Sequence, residues 1–324
     1  MTAITPDEVA PPPSAEPTHR PPLMDFGDPF FRAICFSAAT FLLIALGGVM
    51  ISLLWGGWPA FQKFGLNFFV DSTWNPVTEV YGAATPIVGT LITAFLSLLM
   101  ALPIAIGVSV FLTEFCPQMI ARPLAIAVEL LAGIPSIVYG MWGLFVLAPF
   151  FALHVQAPLM TAAQPGSLLE KLTYGIPNGA NIFTASVILA IMILPYMAAV
   201  FRELLLTVPH TLRESAYGLG CTPFETISAV MIPYVRKGAV GVIMLGLGRA
   251  LGETMAVTFI IGNSHTFPKS LFDSGSTIAS TIANEFAEAQ GLHQAALIAL
   301  GLVLFLITFA VLAVARALLG TVRK

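Results

Sequence analysis

Arg249 and Glu253 stand four residues apart in the otherwise apolar run Leu245–Val257. At that spacing two opposite charges on one helix can pair. An arginine in such a place also suits an oxyanion, because its planar fork donates two parallel hydrogen bonds and keeps its proton. Both roles stand on the residues alone: an ion pair that pins helices together, or a contact for a passing anion that Glu253 holds when the path is empty. Glu129 is a third charged residue in an apolar segment, open to a pathway or a packing role. Hydrolytic chemistry is absent from the pattern. No HExxH, GxSxG or G-x-x-x-x-G-K-[ST] sequence occurs, and none of the five histidines lies deep in an apolar run beside a nucleophile. Cys35, Cys116 and Cys221 are too few and too scattered for a disulfide framework or a zinc site.

The surroundings of these charges decide their meaning. Hydrophobic residues make up 57% of the 324, charged residues only 10%, and the mean hydropathy is +0.89. A soluble globule has no room for that much apolar surface, so a soluble enzyme, a nucleic-acid binder and a disordered chain are excluded. An all-α polytopic membrane protein remains. Six segments reach the roughly 20 apolar residues a span needs: approximately 33–55, 86–112, 124–150, 183–205, 238–262 and 294–317. In lipid a charge costs at least about 2.5–3.5 kcal/mol at mid-depth, so Arg249 and Glu253 in the fifth segment need a reason to be there. Pro103, Pro135 and Pro195 fall inside apolar runs, where each frees a carbonyl and kinks or breaks a helix. Residues 1–29 are Pro-rich and polar and read as a disordered cytoplasmic tail ahead of a 30–324 membrane domain, with no signal peptide.

Lysine and arginine placement sets the orientation. Arg20, Arg32, Arg122, Arg202, Arg213, Arg236, Lys237, Arg316, Arg323 and Lys324 fall on one side, and Lys63, Lys171 and Lys269 on the other. Both termini are therefore expected in the cytoplasm. On the outer side, Ile278, Ile282 and Phe286 recur every four residues opposite Ser280, Thr281, Asn284, Glu285 and Glu288, which predicts an amphipathic helix lying at the outer interface or packing on the bundle.

The basic loop 206–237 carries more structure than a passive connector. Thr211 with Glu214 and Thr222 with Glu225 have capping-box spacing, Pro223 suits a first helical position, and Gly218 and Gly220 suit a helix stop. Two short helices follow, the second over Phe224–Met231, exposing Phe224 and Ile227 as a knob for a partner. Here the chain resembles the permeases of ABC importers. Their EAA loop has Glu-Ala-Ala, three residues, Gly, nine residues and Ile-x-Leu-Pro. This chain has Glu214-Ser215-Ala216, then Gly220, then Val230-Met231-Ile232-Pro233 at the same spacing, with Ser215 in place of alanine. The segments Gly248–Val257, Leu131–Gly143 and Ile278–Phe286 are similar to those of phosphate importer permeases, the C-type above all. The A-type sister permease shares the loop, and molybdate, sulfate or phosphonate permeases stay open, as does a secondary carrier with Glu129, Arg249 and Glu253 as an ion relay.

The resemblance implies a six-span, type I importer (MetI-like) fold in a bacterial inner membrane. It implies a subunit that is no enzyme and binds no cofactor itself, ATP being used by a separate pair of ATPase subunits. A homologous second permease and a periplasmic or extracellular phosphate-binding protein would complete the importer, with no nucleic acid involved. Arg249, Glu253 and Glu129 are the expected pathway residues, and Glu214, Ser215, Ala216, Gly220 and Pro233 the ATPase-coupling ones.

Overall fold

The computed structural model describes residues 27–164 and 166–321. The expected tail lies outside them up to residue 26, and its last three residues are already helical. The chain divides into two compact units. One is residues 1–51, whose described part is the first stretch of α1 (Gly27–Phe64), and the other is residues 52–324, which hold the rest. The second unit contains α2 (Ala84–Phe115), α3 (Gln118–Ala132), α4 (Ser136–Ala162), α5 (Ile182–Leu206), α6 (His210–Gly218), α7 (Pro223–Leu251), α8 (Met255–Ile260), α9 (Ile278–Glu285) and α10 (Leu292–Thr321). Among the described residues, six helices are long and apolar enough to cross a membrane. A small antiparallel hairpin, β1 (Trp74–Asn75) and β2 (Val80–Tyr81), precedes α2.

α5 is the central helix. In its most apolar window 67% of residues are buried, against 28% or less in the other spans. Ile182, Ile188, Leu189, Ile193 and Met197 lose all contact with solvent there, packed with Ala94, Ala101 and Ala105 of α2, Val242 of α7 and Ile260 of α8. Small residues on α5 and α2 let the backbones approach, which is how membrane helices gain packing without a solvent to expel. A second cluster joins Ala60 and Phe68 to the hairpin's Trp74 and Tyr81 and to Ala296, Ala299 and Leu300 of α10.

Two spans differ from the segments read off hydropathy. The third was expected over 124–150, with Pro135 as an internal kink. Instead α3 ends at Ala132, the chain turns through Gly133–Pro135, and the span-length helix is α4. Proline has no N–H to donate and pushes the residue before it out of helical geometry, so Pro135 starts a helix here instead of bending one. Part of the freed backbone is satisfied locally, the Tyr139 hydroxyl donating to the Leu131 carbonyl at 3.0 Å. The fifth was expected over 238–262, but α7 already begins at Pro223 and stops at Leu251, and Gly252–Thr254 separate it from α8. Pro103 and Pro195 do lie inside helices, α2 and α5.

Of the two placements expected for the amphipathic helix, interface or bundle, the structure has the second, and the segment is inserted into the bundle. Ile278, Ala279, Ser280 and Thr281 of α9 are all buried, polar and apolar alike, while Phe286 is 46% exposed. The Ile278 N–H donates to Thr90 Oγ1 of α2 at 2.9 Å. Gly89 is required beside it: any Cβ there would fall on the Ser276 carbonyl oxygen. Two N–H groups at the start of α5, which no helical carbonyl can reach, are met by this same stretch. Ile182 donates to the Asp273 carbonyl at 3.2 Å and Phe183 to the Leu271 carbonyl at 2.9 Å.

Candidate functional site

Arg249 occupies the last turn of α7, where a cation faces the negative end of the helix dipole. It is half-buried. Its guanidinium carbon lies 5.5 Å from the ring centroid of Tyr196 on α5, a cation–π contact. Tyr139 of α4 is within electrostatic reach. The Arg249 Nε is buried and has no hydrogen-bond partner. A donor left in that state is costly unless something arrives to accept from it.

The expected Arg249–Glu253 pair does not form. α7 ends before Glu253, so the one-turn spacing that would stack the two side chains is lost. Glu253 instead serves the next helix: its Oε1 accepts from the Ala256 N–H at 3.2 Å, at the positive end of α8. Glu129 is exposed on α3, and among the described residues it makes no hydrogen bond or ion pair with either. The pathway set read from sequence thus separates into one cation on a ring face, one helix cap and one exposed carboxylate. Tyr196 was missed because an aromatic in an apolar run carries no signal of its own.

Loop 206–237 is built largely as its spacing predicts, with three corrections. α6 ends in a hydrogen-bonded stop: the Cys221 N–H donates to the Ala216 carbonyl at 3.1 Å and the Gly220 N–H to the Tyr217 carbonyl at 2.9 Å. Gly220 sits at φ +87°, a left-handed conformation that residues with a Cβ resist. Thr222 and Glu225 form their capping box, with Thr222 N–H to Glu225 Oε2 at 2.8 Å and Glu225 N–H to Thr222 Oγ1 at 3.3 Å. The other box fails. α6 starts at His210 after Pro209 with no side-chain cap, and Thr211 lies within its first turn, its carbonyl accepting from Ser215 Oγ at 2.7 Å.

The second short helix is no separate element; it is the opening of α7, which continues through π-helical turns at Thr226–Met231 past Pro233. Phe224 is 75% exposed as expected. Ile227 is not: it is buried with Leu205, Val208, Met231 and Val235 in a cluster under the loop. Glu214 and Ser215 face outward while Ala216 is buried. Arg213, next to the motif, turns inward to Glu114 and the Leu205 carbonyl. Only an isolated acid in the FLTEF run at the end of α2 could have hinted at that partner.

A third polar cluster joins the other connecting segments. Glu285 Oε2 accepts from Trp74 Nε1 at 2.8 Å and lies 2.7 Å from His293 Nε2, while its Oε1 lies 2.9 Å from His265 Nε2. Tyr81 stacks on His293 with centroids 5.2 Å apart, and Trp74 on His265 at 6.0 Å. Burial pushes the Glu285 carboxyl up, but hydrogen bonds to His265, Trp74 and His293 together hold it below the usual carboxylate range. Burial, with the nearby Glu79 and Glu285 charges, raises the Tyr81 phenol.

Comparison with known proteins gives these features a setting. The family described as binding-protein-dependent transport system inner membrane component matches residues 83–324. The phosphate transport system permease protein PstC of Mesorhizobium japonicum is 52% identical over 293 residues, 90% of each chain. That of Pasteurella multocida is 51% identical over 294 residues, covering 91% of this chain and 92% of its own. A probable phosphate transport system permease protein PstC of Methanocaldococcus jannaschii is 34% identical over 284 residues, 86% and 89% of the two chains. Among solved structures, a chain of a bacterial ABC transporter involved in alginate import superposes with a TM-score of 0.60 at 18% identity, over 93% of this chain and 98% of its own. A chain of the inward-facing MetNI methionine ABC transporter does so with a TM-score of 0.53 at 18% identity, over 76% and 99%.

Proposed function

The chain belongs to the binding-protein-dependent transport system inner membrane component family, and from that premise we infer that it is the transmembrane permease subunit of an ATP-driven phosphate importer. It is a multi-pass protein of a bacterial inner membrane and a transporter subunit, not an enzyme. Relatives at about half identity over nine-tenths of the chain are named as phosphate permeases, which supports phosphate as its substrate.

The observation that carries the coupling role is the build of loop 206–237. Gly220 stops α6 and Thr222 opens α7 two residues later, with Glu214 and Phe224 both exposed on the two elements. A self-contained carrier has no use for such a knob. One of the importer's two ATPase subunits docks there on the cytoplasmic side, through the region of Glu214, Ser215, Ala216, Gly220 and Pro233, and the other on the second permease. They bind and hydrolyse the ATP; this chain holds no cofactor. A homologous second permease supplies the other half of the path, and a periplasmic phosphate-binding protein delivers the substrate. Within the path, Arg249 contacts the anion: its fork has an unused Nε–H, and the face of Tyr196 holds it without neutralising it.

Gly220→Val tests the coupling role. A Cβ in a left-handed conformation costs about 1–2 kcal/mol, so the turn reshapes and the docking surface is misdirected. The variant should insert normally yet lose ATPase co-purification and phosphate uptake together. Normal values of both in the same membranes would reject docking at this loop.

A further inference from the structure

We propose that Arg213 and Glu114 form the strut that carries movement of the docking loop into the ends of α2 and α5, a positioning pair outside the recognised loop motif. The proposal rests on the reading that an ATPase docks at this loop.

α6 is poorly anchored by packing, since Ala216 is its only buried residue. Its polar fastening is Arg213. The guanidinium splits between two elements: Nη1 donates to Glu114 Oε1 at 2.7 Å, and Nη2 to the Leu205 carbonyl at 2.6 Å. Glu114 lies in the π-helical turn Phe111–Phe115 that closes α2. Leu205 lies in the last turn of α5, and its carbonyl accepts from the Val208 N–H at 3.3 Å as well as from Arg213. One rigid fork therefore ties three chain segments, and its planarity fixes direction as well as distance. Glu214, the adjacent residue, faces outward. A push received at Glu214 has a short, stiff route inward through Arg213.

Stability alone is a poor explanation for this pair. The two side chains are only 12% and 8% exposed. Burying both charges forfeits hydration that their mutual attraction repays only with good geometry and full hydrogen bonding. Here the Arg213 Nε is buried without a partner, so repayment is incomplete. The same chain shows what a dispensable pair looks like: Arg202 and Glu203 are neighbours on one helix, with Glu203 64% exposed. Arg213 and Glu114 instead connect the loop to α2 and α5, whose packed faces make the centre of the bundle. Both π-helical turns that meet this region, Phe111–Phe115 and Thr226–Met231, are wide turns of the sort found at functional sites in helices.

The test uses the full importer in proteoliposomes with its binding protein and ATP. Phosphate taken up per ATP hydrolysed is measured beside the amount of ATPase that co-purifies. Arg213→Gln and Glu114→Gln each leave a buried group unpaired, so the decisive variant is the double Arg213→Gln/Glu114→Gln, which leaves no buried charge. A strut predicts that the double variant assembles at the wild-type ratio but takes up at least tenfold less phosphate per ATP. Wild-type stoichiometry in the double variant would overturn the proposal, and so would its failure to assemble, since the pair would then serve the fold of the loop and not its motion. If the unmodified chain neither retains an ATPase nor supports phosphate uptake, the functional reading itself falls and the strut with it.

Discussion

Arg249 rests on the face of Tyr196 and not on the carboxylate four residues away, and this changes what its substitution should do. Had the two charges been paired, neutralising both would restore the site. Without a pair there is nothing to restore. A hydrogen bond to a charged group is worth about 1.5–3 kcal/mol, and each 1.4 kcal/mol is about a factor of ten. Arg249→Gln should therefore lower phosphate uptake by roughly 10–100-fold with assembly intact, and Arg249→Lys should recover little for want of the fork. Glu253→Gln should cost less uptake, and the Arg249→Gln/Glu253→Gln double should stay as inactive as Arg249→Gln alone. Radiolabelled uptake and recovery of the complex check this; a double variant more active than Arg249→Gln would reinstate the ion pair. Arg249 itself was legible, being the only basic residue deep in an apolar run. Its partner was not, because i,i+4 pairing presumes an unbroken helix and Gly252 ends this one.

Among the elements, the inserted segment around α9 departs furthest from its hydropathy pattern. Its Ser and Thr residues looked solvent-facing, yet both Ser280 and Thr281 are buried: Ser280 closes the capping box with Thr277, and the Thr281 Oγ1 has no hydrogen-bond partner. Amphipathicity reports which residues are polar, not whether their environment is water. Glu285 at the end of α9 gathers Trp74, His265 and His293 from three other segments. Its folded pKa is depressed, so its contribution is complete above the ordinary carboxylate value, about 4.3, and is lost as pH falls through the lower, folded value. Hydrogen exchange at residues 263–266 and 285–293 should stay slow from neutral pH down to that ordinary value and quicken only below it. Glu285→Gln should remove the pH dependence, and an unchanged profile in that variant would show that the cluster is not held by this carboxylate. The capping box at Thr222 and the stop at Gly220 were readable because both depend on local backbone chemistry. The bounds of the third and fifth spans were not, since Pro135 and Thr222 outweigh hydropathy in setting where a helix starts.

For the molecule as a whole, composition alone fixed the solvent, and apolar run length alone fixed six spans. Orientation rests on the lysine and arginine asymmetry. A reporter active only in the cytoplasm should work when fused after Gly218 and fail after Asn178, and the reverse result would invert the topology. The insertion of residues 271–278 beside α5 also has a consequence in time. Ser274 Oγ donates to the Ala180 carbonyl, 94 residues earlier in the chain, next to the two N–H groups that Asp273 and Leu271 satisfy. At about 5–20 residues per second, synthesis leaves the head of α5 without these partners for on the order of 5–20 s. The slot between α2 and α5 is thus translated before its occupant. For that interval water or the insertion machinery must stand in for a stretch of chain still inside the ribosome.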